Sequence, residues 1–282
     1  MSNITIQIFH TGEVCVSPDL PFGGENCSPV KASGIFQSPS KRLWLPVSAY
    51  LISHPKGQIL VDTGWHREMS PDGVLDRRAQ IKSLGSWPLY KVNQGRVGPG
   101  EAIDEQLAAM GLSNKDLDYV LITHLDCDHA NGLRAVAGAK NILVSHDEVK
   151  FATKWNNRIR YYPKWWKGVP LTKFEWNGTD GPVHKSYDLF GDGSVELVNI
   201  PGHADGLFAV KVTNEEGNYV LLYSDGGYSS KSWKEMIQSG IAADRAAQRK
   251  SLEWIREQSL DPHCVESLAN HDTEVKPHII NL

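Results

Sequence analysis

The sequence predicts an α/β domain, and three observations lead to that class. The first 60 residues are rich in branched and aromatic residues, which is typical of strands. Between residues 101 and 144, helix-like and strand-like segments alternate, as in proteins with parallel strands. Strand-like segments return over residues 191–225. Because no repeat, low-complexity tract or linker interrupts this order, we expect one domain over residues 1–282.

Strands are expected wherever short apolar runs rich in branched residues end in Gly, Pro, Asn or Asp. Two of these runs flank a polar NEEGN turn, which predicts a hairpin. The Pro/Gly/Ser-rich segment 17–40 is expected to be a long loop, and residues 67–100 give no clear pattern. The expected strands cover residues 4–10, 42–54, 58–61, 118–123, 141–144, 194–200, 207–212, 219–225 and 264–269.

Helices are expected in three places. Residues 101–110 have helical spacing and stop at Gly111, a natural helix end. Residues 242–258 form the clearest pattern, with Leu252 and Ile255 on one face. A short helix is expected over residues 131–137.

Composition excludes several classes of protein. Of 282 residues, 40% are hydrophobic and 22% charged, as in ordinary globular proteins. The formal net charge of -4 disfavours a nucleic-acid partner, and four scattered cysteines cannot make a disulfide framework. Neither a signal-peptide pattern nor an apolar run of about 18 residues is present, so we expect no membrane association and a cytoplasmic location.

A cluster of potential metal ligands follows the predicted strand 118–123. His124, Asp126, Asp128 and His129 lie within six residues, with Cys127 among them. Imidazole and carboxylate together suit zinc, iron or manganese, and α/β folds place their sites at such strand ends. A polar, solvated turn is the alternative explanation. Cys127 is expected to point away from the cluster into the core.

Three further predicted strands end in a residue of the same kind. His203 follows Pro201-Gly202, Asp225 ends the strand 219–225, and His271 follows the strand 264–269. If the sheets bring these ends together, the seven side chains suffice for two metal ions with positions left for water.

The order of these motifs resembles the metallo-β-lactamase superfamily from Leu45 to Asp272. That resemblance implies a four-layer αββα sandwich and a dinuclear metal site. The LVDTG stretch resembles the family's first motif, which implies that Asp62 supports the site from behind the ligands. Tyr228, three residues after Asp225, narrows the resemblance to the N-acyl-homoserine lactonase branch, in which such a tyrosine faces the substrate carbonyl. By position, the first metal would take His124, Asp126 and His203, the second Asp128, His129 and His271, and Asp225 would bridge them.

The resemblance implies a metal-dependent hydrolase that opens a lactone, the quorum-quenching reaction, or cleaves a related ester. We expect a small-molecule substrate and two divalent ions, Zn²⁺ first, with iron or manganese as alternatives. A metal-bridging hydroxide would attack the carbonyl, and Tyr228 would donate to the oxyanion. Asp128 would carry the proton to the leaving alkoxide, unless a metal stabilises it. Thioester or phosphoester hydrolysis, a nuclease and a non-catalytic metal protein are the other candidates.

One position departs from the family's pattern, because Asp126 stands where the family has histidine. Two divalent ions, three carboxylates and a hydroxide leave no net charge, whereas two carboxylates would leave one positive charge. We therefore expect a less electrophilic site and a less acidic bound water than usual. A second interpretation is that the first metal site is weak and only the second fills.

A Trp-rich insertion, expected over about residues 150–190, lies between the ligand cluster and His203. It contains Trp155, Trp165, Trp166 and Trp176, and residues 150–173 hold seven Lys/Arg and no Asp or Glu. Such a segment could bind an acyl chain, dock a second subunit in a homodimer, stack nucleic acid, or simply pack on the sandwich. We expect a pocket wall in which Trp155, Trp165 and Trp166 contact substrate. His66, after the LVDTGW stretch, is expected near the same pocket.

Overall fold

Two β-sheets packed face to face form the centre of the protein. The structure, a computed structural model, describes residues 4–282. The first sheet has the strand order β13-β1-β2-β3-β5-β6-β7, with β4 paired to β1. Its strands are β1 (Thr5–Val16), β2 (Leu43–His54), β3 (Gly57–Val61), β4 (Gln94–Arg96), β5 (Tyr119–Leu121), β6 (Asn141–Ser145), β7 (Leu171–Phe174) and β13 (Ile279–Asn281).

The second sheet has the order β12-β11-β10-β9-β8. Its strands are β8 (Ser186–Asp188), β9 (Val195–Asn199), β10 (Phe208–Thr213), β11 (Tyr219–Leu222) and β12 (Cys264–Leu268). The predicted hairpin is confirmed, because β10 and β11 pair antiparallel. In the first sheet β3, β5, β6 and β7 run parallel, so their carboxyl ends meet at one edge.

Helices cover the outer faces of both sheets. The longest described helix, α9, spans Arg245–Leu260 and buries Leu252 and Ile255. The described α-helices are α1 (Asp19–Phe22), α2 (Pro29–Ser33), α3 (Arg77–Leu84), α4 (Trp87–Val92), α5 (Ile103–Ala109), α6 (Cys127–Ala130), α7 (His146–Ala152), α8 (Ser230–Lys234) and α9. Short 3₁₀ turns lie at Pro39–Lys41, Arg67–Met69, Asn114–Asp116, Asn131–Val136, Trp155–Asn157, Pro163–Trp165 and Ser224–Gly226.

Apolar side chains fill the space between the two sheets. Ile8, Tyr50 and Leu121 of the first sheet belong to the same buried cluster as Phe208 and Val220 of the second. A separate buried cluster lies under the helices. Burial on both faces of each sheet gives four layers, so the predicted αββα sandwich is confirmed.

Local elements differ from the sequence expectations in three places. The predicted loop 17–40 contains α1, α2 and a 3₁₀ turn, and the helix expected over 131–137 is 3₁₀. The expected insertion over about residues 150–190 also contains two strands, because β7 pairs with β6 and β8 pairs with β9. Within it, residues 153–170, 175–185 and 189–190 lie outside the strands and α-helices. Among residues 4–282, no helix is long and apolar enough to cross a membrane.

Candidate metal centre

The seven predicted ligands come together where strands of both sheets end. Each is less than one-tenth exposed. We call His124, Asp126 and His203 the first half-site, and Asp128, His129 and His271 the second half-site; the atoms of each trio are close enough to share one metal ion.

Asp225 lies between the two half-sites. Its Oδ1 is 3.3 Å from His129 Nε2 and 3.2 Å from His271 Nε2, in the second half-site. Its Oδ2 faces the first half-site, 3.6 Å from His203 Nε2 and 4.0 Å from His124 Nε2. One carboxylate therefore presents one oxygen to each half, as a bridging ligand would.

Strand register and close packing explain how the ligands meet. Val61 of β3 pairs with Leu121 of β5, which brings Asp62 beside Thr123 and the turn that carries His124. On the other sheet, His203 follows Gly202, whose φ is +137°. A Cβ at this glycine would lie 2.3 Å from the Gln248 Cα of α9, so the tight approach that positions His203 requires glycine.

Three of the four histidines are held by their Nδ1 atoms. His129 Nδ1 donates to Asp62 Oδ2 at 2.8 Å, and His271 Nδ1 donates to the Pro46 carbonyl at 2.8 Å. Thr123 Oγ1, which itself donates to Asp62, accepts from His124 Nδ1 at 3.1 Å. These contacts place a proton on each Nδ1 and turn each Nε2 towards the cluster, which is the usual support of a metal-binding histidine.

The inward-facing atoms fit metal ions. Among the described residues, the Nε2 atoms of His124, His129 and His271 and Oδ1 of Asp225 are buried without a hydrogen-bond partner. Leaving four such atoms unpaired in one cluster is costly, whereas metal coordination satisfies all of them. Burial, followed by the neighbouring His129, lowers the pKa of His124 to about 4, which keeps that imidazole in its metal-binding form.

The sequence reasoning missed Arg160, which lies in the insertion and reaches the first half-site. Its Nε and Nη2 donate to Asp126 Oδ1 and Oδ2, both at 2.6 Å. Nη2 is also 2.7 Å from His203 Nε2, and Nη1 donates to the His203 carbonyl at 3.1 Å. Despite the cost of burial, Arg160 holds the pKa of Asp126 well below its usual range, together with His124 and His203.

This pair corrects the expected charge of the site. The guanidinium supplies one positive charge against the extra carboxylate of Asp126, so the cluster regains the balance of a site with histidine there. A signal existed in the sequence, because an unusual buried carboxylate calls for a cation and the insertion is rich in Lys and Arg. Which of its cations would pair with Asp126 depends on the tertiary path of the insertion.

A second buried carboxylate, Glu148 of α7, lies behind the same turn. Its Oε1 accepts the Leu125 backbone N–H at 2.9 Å, one residue before Asp126. Burial raises its pKa to about 7.

Cys127 lies outside both half-sites. The residue is 1% exposed, and its Sγ lies 3.4 Å from Asn93 Nδ2.

A cavity of about 400 Å³ opens onto the cluster. Asp126, Asp128, His203, Asp225 and Tyr228 line its floor. The Tyr228 ring stacks on His271 and meets His203 edge-on. Burial, followed by repulsion from Asp225, raises the tyrosine's pKa well above 10, so its hydroxyl keeps its proton. The walls are mostly apolar and include Val14, Val16, Leu20, Ile35, Leu89, Val92, Ile159 and Ile241.

The insertion does supply part of the cavity wall, but through Asn156, Ile159 and Arg160. The three tryptophans singled out as substrate contacts are not on the wall. Trp165 is 1% exposed and donates from Nε1 to the Ser83 carbonyl, while Trp166 packs against it and Trp155 is 80% exposed. Apolar packing draws Trp165 inwards, so it anchors the insertion on the sandwich.

His66 is also absent from the cavity wall. Its backbone N–H donates to Asn131 Oδ1 at 2.8 Å, and its Nδ1 accepts the N–H of Glu68 at 3.1 Å. Capping this short 3₁₀ turn holds the ring away from the cavity, so no described contact supports a role for His66 in substrate binding.

The αββα layers and the two-part ligand cluster define a metallo-hydrolase fold, and sequence comparison agrees. The profile of the metallo-beta-lactamase superfamily matches residues 42–222, more than half of the chain, and this protein belongs to that superfamily.

Two curated relatives and one solved structure lie in the lactonase branch. The chain is 27% identical to the N-acyl homoserine lactonase AttM of Azorhizobium caulinodans over 225 residues, covering 75% of this chain and 76% of the relative. It is 28% identical to AiiB of Agrobacterium fabrum, also an N-acyl homoserine lactonase, over 83% of this chain and 82% of that one. An N-acyl homoserine lactone hydrolase with N-hexanoyl-L-homoserine bound at its catalytic metal center superposes with a TM-score of 0.73. It is 21% identical and covers 97% of this chain and 95% of its own, a likeness of fold.

Proposed function

We propose that this protein is a metal-dependent hydrolase that opens the ring of N-acyl-homoserine lactones. The observation that carries the proposal is an apolar cavity whose floor is the ligand cluster and Tyr228. A lactone ring needs polar groups at the floor, and an acyl chain needs apolar walls. The named activity of the AttM and AiiB relatives points the same way.

The chain's own residues divide the work. The two half-sites and Asp225 would hold two metal ions, which when bound make a water molecule more acidic and polarise a carbonyl. Tyr228, protonated and on the cavity floor, donates to the oxygen that gains negative charge as the carbonyl is attacked. Asp128 lines the same floor and would carry the proton released by the attacking water to the leaving alkoxide. Asp62 positions His129.

The cavity walls set the substrate class. Residues from β1, α1, α4 and the insertion line them, and most are aliphatic. Burying an acyl chain there contributes about 0.8 kcal/mol per methylene group. Affinity should therefore rise along a series from N-butanoyl to N-decanoyl lactones until the cavity is filled.

The deciding experiment is an assay of ring opening with N-hexanoyl- and N-decanoyl-homoserine lactone. The reaction is measured by the protons it releases and by chromatography of the open acid. We expect zinc-loaded protein to be active and chelator-treated protein to be inactive until zinc is returned. A phenyl thioester and a phosphotriester, assayed in parallel, test the other reactions of the superfamily. The proposal fails if lactone hydrolysis does not exceed that of the Asp225→Asn variant.

We further propose Zn²⁺ as the resident metal, supported by the three imidazoles with free Nε2 atoms. Metal analysis of protein purified without added metal tests this against iron and manganese. All four cysteines are unpaired, which supports a reducing compartment such as the cytoplasm. The homodimer stays a prediction, and light scattering across a concentration series tests it.

A further inference from the structure

The first half-site differs from the second because a guanidinium already holds two of its ligand atoms. Arg160 Nη2 lies 2.6 Å from Asp126 Oδ2 and 2.7 Å from His203 Nε2. In the second half-site, Nε2 of His129 and of His271 have no partner among the described residues. The two halves therefore start from different states before any metal ion arrives.

The contact with His203 excludes a metal ion for a simple reason. A neutral imidazole nitrogen has one lone pair, and arginine has only N–H donors. The His203 Nε2 atom lies 2.7 Å from Arg160 Nη2 and 2.8 Å from Asp126 Oδ2. It therefore either accepts from Arg160, with the ring proton on Nδ1, or donates its own proton to Asp126, and in both states its lone pair is unavailable to a metal ion. As long as Arg160 holds Asp126 and stays beside Nε2, it blocks the approach of a metal ion to this atom.

Asp126 imposes no such choice. A carboxylate has about four lone-pair sites, so it can keep its fork to Arg160 and still coordinate a metal ion. However, the guanidinium would then remain next to the incoming cation and repel it. Both effects weaken the first half-site, and neither applies to the second half-site.

We propose that Arg160 is a built-in competitor for the first metal ion and makes the first half-site the weaker of the two. The side chain is a positioning residue that sets metal occupancy. This inference rests on the metal centre of the proposed function. Nevertheless, it is independent of the substrate, so a failure of lactone hydrolysis would not affect it.

The test is a zinc titration of chelator-treated protein against a chromophoric zinc chelator. We expect wild type to bind one tight equivalent and a second that is at least about tenfold weaker, the effect of one charge-assisted hydrogen bond. Arg160→Met should strengthen the weaker equivalent by about tenfold or more and leave the tight one unchanged. Arg160→Gln, which keeps a polar side chain at Asp126, serves if the Met variant misfolds.

Three further variants assign the result. Arg158→Met removes an exposed cation of the same insertion and should titrate like wild type. His271→Asn disables the second half-site, so the remaining zinc reports the first, and adding Arg160→Met should strengthen it. In the His271→Asn variants, the absorption spectrum of bound Co²⁺ should show one ligand field, where the wild type shows two. If Arg160→Met or Arg160→Gln weakens the first half-site or leaves both equivalents unchanged, the proposal is wrong.

Discussion

The two half-sites of the candidate metal centre share one carboxylate, that of Asp225, but are built in different ways. In the second, Asp62 and the Pro46 carbonyl hold two imidazoles by Nδ1, and both Nε2 atoms stay free. In the first, a guanidinium from the insertion binds the carboxylate of Asp126. The difference teaches that a carboxylate in a ligand motif can bring a segment distant in sequence into the site, because a buried charge needs a partner.

The largest effect should come from the residue that both half-sites share. Asp225→Asn removes the charge between them, so we expect lactone hydrolysis to fall at least about a thousandfold, since metal chemistry is worth several kcal/mol. Zinc stoichiometry, measured on the same sample, should fall below two. Asp192→Asn, an exposed carboxylate paired with Lys56, is the matched control. A variant that keeps both zinc equivalents at their wild-type affinities would show that Asp225 does not bridge.

The next effect concerns the buried Glu148 behind the first half-site. Its pKa is raised from 4.5 to about 7, so the stability contributed by the protonated form is present below pH 4.5 and lost as pH rises through 7. Each unit of pKa difference between the folded and unfolded states is worth roughly 1.4 kcal/mol, so the loss of folding stability reaches about 3 kcal/mol by pH 8.

Glu148→Gln should abolish that loss while keeping an acceptor for the Leu125 N–H. Urea unfolding at pH 5 and pH 8, at a fixed zinc concentration, measures the difference between wild type and variant. Glu257→Gln, on the exposed face of α9, should leave the pH dependence unchanged. An equal pH dependence in wild type and Glu148→Gln would contradict the assignment.

Tyr228 touches both halves through its ring contacts with His271 and His203. Tyr228→Phe keeps those contacts and removes the donor, so we expect turnover to fall about a hundredfold with zinc content unchanged. Tyr223→Phe, a nearby buried tyrosine outside the cavity wall, should keep wild-type turnover. Unchanged turnover in Tyr228→Phe would remove this hydroxyl from the mechanism.

The smallest effect should be confined to the second half-site. Asp62→Asn weakens the acceptor of His129 Nδ1, so we expect about tenfold weaker zinc binding at the tight equivalent. This loss is at the low end of the range found when a residue that supports a metal ligand is substituted. The weaker equivalent should be unchanged in the same titration. Equal loss at both equivalents would mean that Asp62 supports the whole turn after β5, through Thr123, and not His129 in particular.

Much of the fold and of the ligand set could be predicted from local pattern. Strands β3, β5, β9, β11 and β12 lie where apolar runs end in polar residues, and all seven ligand candidates follow such runs. The insertion could not be predicted in the same way. Trp165 and Arg160 belong to one aromatic and basic segment, yet one enters the core and the other the metal cluster. The composition of the segment does not tell which residue enters the core and which enters the metal cluster. Only the path of the chain in the folded protein decides this.

The sequence by itself determined which side chains stand at the strand ends, because a strand that leaves the core must end in polar residues at a defined point. It also determined the family, since the order of those ends is specific. The tertiary structure alone decided that Arg160, 34 residues beyond Asp126, binds it, and that the walls above Tyr228 come from β1, α1, α4 and the insertion. The physical reason is range. Patterning acts over a few residues along the chain, whereas a buried charge and an apolar cavity are satisfied by whatever groups the completed fold brings within contact distance.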